Sequence, residues 1–241
     1  MKLRNFFSLF FFLVLGSFSG FAKPFYTDPI PVSPTIEENA VQSYSTDPVT
    51  VQAIVQDPIV RRAEYLQRVN QMIDGQIAVA DLDLNNMNMA SISAKLIRGE
   101  DLNTCSQRVI DLMQNPSTGP FWMFPVVNIT FLGRNQLSTQ AYDAIREMWR
   151  TTYQQRGDTE NHFLMYYTSL YLMSEFYPNE PGSSWYTGKS SSENLAEARE
   201  YLIHWMDVTS TIGQQEFNPT NYLPEYAICM IQLMSWAEDL E

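Results

Sequence analysis

The sequence predicts an all-α protein whose helices pair into antiparallel hairpins forming part of an α/α-toroid. Three observations predict this. No stretch sustains the two-residue alternation of a strand. From Ile59 onward apolar residues recur at helical spacing, and Gly or Pro punctuates the segments. In the C-terminal half, helices apolar along one stripe alternate with helices apolar all round, the pattern of two concentric layers in which only the outer helices touch water.

The chain opens with MKLRNFFSLFFFLVLGSFSGFA. Lys2 and Arg4 form a charged start, Phe6 to Leu15 an apolar run, and Gly20-Phe21-Ala22 places small residues at a cleavage site. Residues 1–22 therefore read as a secretory signal peptide, and the product as secreted or periplasmic. The apolar run is shorter than the ~20 residues a membrane span needs, so no membrane segment is expected after cleavage. Residues 23–57 carry five prolines and read as an extended leader. Residues 58–241 form the toroid domain.

Within that domain, RRAEYLQRVNQMIDG reads as a helix stopped by Gly75, and DLDLNNMNMASISAKLIRG as one stopped by Gly99. EDLNTCSQRVIDLMQN begins with acids that suit a helix N-terminus and stops before Pro116. PFWMFPVVNITFLGRN reads as a helix broken at Pro125. Ala141, Ile145, Met148, Trp149 and Thr152 form a single stripe. From Thr159 to Tyr177 apolar residues surround the axis, which predicts burial on all sides. Ser190 and Glu193 form a capping box that opens another one-sided helix, and Pro224 suits the first turn of another all-round one. The chain ends in SWAEDLE, inside a helical pattern, so the toroid is expected to be cut short of a further outer helix.

Composition narrows the function. The net charge is −12, and loss of Lys2 and Arg4 with the leader removes two positive charges to leave about −14. No nucleic-acid partner is expected, since binding one needs a basic stripe. Cys105 and Cys229 match no zinc or redox spacing and read as two buried thiols or one disulfide. No metal or organic cofactor is indicated. Asn128-Ile129-Thr130 spells a glycosylation signal inside an apolar run, which argues against its use.

The chemistry gathers at RGDTENHFLMYY, where a polar cluster opens the apolar helix. Asp158 or Thr159 suits its N-cap. His162 falls in the first turn, where the helix dipole disfavours a further positive charge, and a neutral imidazole there can serve as a base. Asn161 offers an amide to a ligand carboxyl or hydroxyl. Tyr166 lies one turn on, on the same face. Glu160 and Arg156 flank the cluster. Trp122, Trp185 and Tyr186 are candidate sugar-stacking platforms. His204, after Glu200, reads as a surface residue.

The stretches GDTENHFLMYYTSLYLMSEFYP, WYTGKSSSENLAEAREYLIHWM and IGQQEFNPTNYLPEYAICMIQLMSWAED resemble secreted bacterial α/α-toroid proteins of the superfamily that holds alginate, chondroitin and heparin lyases. The resemblance covers residues 138–241. It implies a polysaccharide or oligosaccharide partner and β-elimination on a uronate-containing glycan. Asn161 would then neutralise the carboxylate, His162 would take the proton, and Tyr222 would act as the acid. An assisting arginine, Arg134 or Arg156, has no clear match, and the aromatic pattern that follows the Asn-His pair in those enzymes is not intact here. Two further readings stand beside it. One is a non-catalytic glycan-binding or structural protein. The other is an inverting-type glycoside hydrolase using Asp158 and Glu216.

Overall fold

The computed structural model describes residues 58–82, 87–216 and 222–238. The expected signal peptide and leader lie outside the described residues. Those residues hold eight α-helices and no strand: α1 Pro58–Leu82, α2 Met89–Arg98, α3 Leu102–Gln114, α4 Pro120–Leu132, α5 Thr139–Thr151, α6 Glu160–Phe176, α7 Ser191–Ile212 and α8 Leu223–Trp236. None is long and apolar enough to cross a membrane.

Helices α2, α4, α6 and α8 pack side by side in that order. Against this row α1 lies on α2 and α7 on α6, while α3 pairs with α5. Burial follows the layering. Eleven of the thirteen α4 residues are buried, against four of the thirteen on α5. The α5 stripe is Ala141, Ile145, Met148 and Trp149, as its spacing predicts. Inner helices also bury hydroxyls, and three of these are satisfied within their own helix. Ser93 donates to the carbonyl of Met89 at 2.8 Å, Thr130 to Val126 at 2.7 Å, and Ser169 to Met165 at 2.8 Å. Buried Gln232 ties α8 to α4 by donating to Asn128 Oδ1 at 3.0 Å and to the Phe124 carbonyl at 3.1 Å. Asn128 is therefore a core residue, and its glycosylation signal is out of reach.

The caps hold where they are strongest. Asn88 accepts from the backbone N–H groups of Ala90 and Ser91, Gly99 ends α2 in the left-handed region at φ 73°, and the Ser190–Glu193 box opens α7. Cys105 on α3 and Cys229 on α8 are buried free thiols. Burial raises them to about 11 and about 12 respectively, which keeps both protonated and inert.

Three expectations are corrected. Gly75 does not stop a helix, because α1 runs through it to Leu82. Val69, Ile73, Ile77 and Ala80 carry one packed stripe across the glycine, and that burial outweighs its poor propensity. Pro125 does not break α4, which is continuous. The hydrogen bond it removes belongs to the Phe121 carbonyl, in a first turn whose Phe121 side chain is half exposed. Helix α8 is not buried all round: Tyr226, Ile228 and Cys229 are buried, but Leu223 and Met234 are exposed.

A buried cation was not foreseen. Lys95 on α2 is 1% exposed, and its Nζ donates to Asp81 at 2.6 Å and Asp101 at 2.7 Å. Burial pulls its pKa down, but the hydrogen bonds and charges of Asp101 and Asp81 outweigh that and leave it raised. The same carboxylates lock the end of α1 and the start of α3 onto α2.

Gly75 yields a direct test. A Cβ there would meet nothing within 4 Å. Gly75→Ala is expected to raise unfolding stability by about 0.5–1 kcal/mol in a denaturant titration, because alanine loses less backbone freedom in a helix.

Candidate functional site

The first turn of α6 lies between two clefts. The larger, about 1010 Å³, is lined on one side by Gly119, Pro120 and Phe121 at the start of α4 and on another by the 153–158 loop. His162, Tyr166 and Tyr167 form its α6 wall, and Tyr186, Thr187 and Lys189 close it from the loop before α7. The smaller, about 420 Å³, lies towards α7 and is lined by Asp158, Glu160, Phe163, Tyr201, Trp205 and Glu216 among others. Asp158 borders both.

His162 is set from below by Gly157. Gly157 has φ 83°, and a Cβ on it would come within 2.6–2.8 Å of the imidazole Cβ, Nδ1 and Cγ. Only glycine fits both the conformation and the contact. From the α4 side Phe121 meets the imidazole edge to face at 5.5 Å. Asp158 Oδ1 lies 3.7 Å from Nδ1. Arg156 donates to the Tyr167 hydroxyl at 3.2 Å and stacks over Phe163 at 4.3 Å. Among the described residues no carboxylate pairs with it, so its charge is available to the cleft.

The cleft's other rings brace one another. Tyr186 donates to the Tyr166 hydroxyl at 2.9 Å and meets Tyr153 edge to face at 6.3 Å. Burial raises the pKa of both Tyr166 and Tyr186, so neither ionises near neutrality. Tyr153 is 68% exposed and stands at the rim.

The expected site residues do not all meet. Arg156, His162 and Tyr166 share the larger cleft. Glu160 and Glu216 line the smaller one with Asp158. Asn161 lines neither cleft. It is 2% exposed, its amide donates to the buried Glu225 of α8, and its oxygen accepts from Thr159 and from the His162 backbone at 2.7 Å. Thr159 holds the N-cap position, but its hydroxyl goes to Asn161 rather than to the backbone. Tyr222 borders neither cleft and is 44% exposed at the start of α8. Trp185 is 4% exposed, donates to Ser191 Oγ at 2.9 Å and packs on Trp149, so it is core and not a platform. Arg134 stacks on Phe131 and Phe176, beyond the far end of α4 from the cleft.

Glu160 acts as a clasp. Its Oε1 accepts from Trp205 Nε1 at 2.8 Å. Its Oε2 accepts from the Gln215 and Glu216 backbone N–H groups at 2.8 and 3.2 Å, and from the Tyr226 hydroxyl at 3.1 Å. Tyr226 also reaches Glu216, which with burial raises its own pKa. Sequence spacing missed Phe121, Tyr153, Gln154 and Lys189 in the larger cleft. Phe121 was legible in principle, because α4 and α6 are both inner helices and so begin at the same end.

No family model, curated protein or solved structure matches this chain.

Glu225 supplies a pH test. Burial raises its pKa, with Asn161 opposing and Glu216 adding to the rise. The folded state therefore holds this proton more tightly than the unfolded chain. Stability from Glu225 is full below the unfolded carboxyl range and is lost as pH rises through the folded value. Glu225→Gln is expected to raise the melting temperature at pH 7 and to flatten its fall between mildly acidic and neutral pH. An unchanged melting curve at pH 7 would contradict the assignment.

Proposed function

We propose that the larger cleft binds an oligosaccharide, that His162 is its acid–base residue, and that the protein is an exported carbohydrate-active protein built on part of an α/α-toroid. The supporting observation is the lining itself. Exposed Tyr153 and Phe121 flank an open groove that also presents Gln155 and Arg156, with Lys189 paired to Glu197 at its edge. Sugars stack their C–H faces on such rings and take hydrogen bonds from such side chains. An imidazole between the rims suits removal of a proton from a bound sugar. The layering of four inner helices against outer ones supports the toroid reading, and the Lys2–Ala22 sequence supports export.

For the lyase reading, Arg156 replaces Asn161 as the group that meets a uronate carboxylate, since Asn161 is committed to Glu225. Tyr166, protonated and one turn from His162, replaces Tyr222 as the candidate acid. A second reading, glycan binding without turnover, gains from the same facts: two members of the expected triad lie outside the groove. The hydrolase reading keeps Asp158 and Glu216 on one cleft, but Glu216 is engaged by Tyr226.

The test is calorimetry with acidic and neutral oligosaccharides, followed by near-ultraviolet absorbance for unsaturated product. Tyr153→Ala is expected to weaken binding by about 0.5–1.5 kcal/mol, the worth of one stacking ring. His162→Ala should abolish turnover of a lyase while leaving binding in place. Binding without absorbance or new reducing ends would establish the binder. No binding to any glycan would end the proposal.

A further inference from the structure

We infer that Asp158 is the positioning residue of His162: its carboxylate accepts the proton on Nδ1 and leaves the Nε2 lone pair facing the cleft. This rests on His162 being the working group of the proposed site, but the geometry stands by itself.

The two ring nitrogens have different surroundings. Nδ1 is buried and has no hydrogen-bond partner, whereas the side chain as a whole keeps 27% of its surface and lines the larger cleft. The exposed edge left to the ligand is therefore the one bearing Nε2. Gly157 presses on the Nδ1 side and Phe121 crosses the ring at 87°, so the ring has little room to flip.

A buried nitrogen with no partner is costly, more so when it carries a hydrogen. Asp158 Oδ1 stands 3.7 Å away, one helical turn earlier in sequence. It is 93% exposed, so nothing holds it back. Closing by less than 1 Å would complete the bond, and such contacts are commonly long before a ligand is bound. An Nδ1–H held by a carboxylate fixes the tautomer whose Nε2 accepts a proton. Without Asp158, the buried nitrogen is better left bare, the hydrogen moves to Nε2, and His162 presents a donor instead of a base.

The groups around this pair are few. Arg156 and Gly157 precede Asp158 in the loop, and Glu160 and Asn161 follow. Lys189 and Glu197 line the same cleft but bind each other.

The chain has two histidines, which makes the test direct. Nitrogen-15-labelled histidine in the full chain gives two imidazole spectra, and His204→Gln assigns them, since His204 lies exposed on α7. At a pH where the ring is neutral, His162 should show the Nδ1–H tautomer in the wild type. Asp158→Ala should reverse the ratio in favour of Nε2–H, and Asp158→Glu should restore part of it. The melting temperature should stay close to wild type, because Asp158 is exposed. An Nε2–H wild type, or a tautomer ratio indifferent to Asp158→Ala, would overturn the inference. The expected tautomer in a protein that binds no glycan would uphold this pair and remove only the carbohydrate reading.

Discussion

The start of α6 is fastened to α7 and α8 by two neighbouring side chains, and the positions of both clefts depend on that fastening. Glu160 gathers the Trp205 indole, the Tyr226 hydroxyl and two backbone N–H groups. Asn161 reaches the neighbouring residue of α8, buried Glu225. A helix buried on most sides cannot let its first turn move freely, because any shift would be carried into the close-packed core. His162, Arg156 and Asp158 project from this fixed point. The polar cluster that stood out in the sequence thus serves two ends. Half of it holds the helix, and half faces the groove.

That division explains which parts of the site were legible. Spacing alone identifies the helix mouth, and it correctly brings His162 and Tyr166 to one face. It does not say which of Glu160, Asn161 and His162 turns inward, because successive residues on a helix point about 100° apart and the inward direction depends on neighbours remote in sequence. Glu225 and Trp205, which claim Asn161 and Glu160, lie 64 and 45 residues away. Trp185 follows the same logic. It reads in the sequence as a sugar-stacking platform, yet its indole closes against Trp149 and finds Ser191.

The fold was more legible than the site. One-sided and all-round stripes ranked α5, α6 and α7 correctly, since the spread of apolar residues around an axis is written in the helix's own sequence, but the same rule over-buried α8, where Leu223 and Met234 are exposed. The failures came where a local rule met tertiary packing. Gly75 reads as a stop, but the stripe through Ile73 and Ile77 continues. Pro125 reads as a break, but the lost hydrogen bond falls in the first turn. Lys95 has no local signal at all: its partners, Asp81 and Asp101, sit on elements that only the packing of α1, α2 and α3 brings together.

The clasp at Glu160 can be tested directly by hydrogen–deuterium exchange. The account predicts that Glu160→Ala speeds exchange at the first turn of α6, at Gln215 and Glu216, and around Tyr226, while the middle of α6 near Leu170 stays protected. Exchange at those three places that matches the wild type would contradict the claim that this carboxylate holds the mouth of the helix in place.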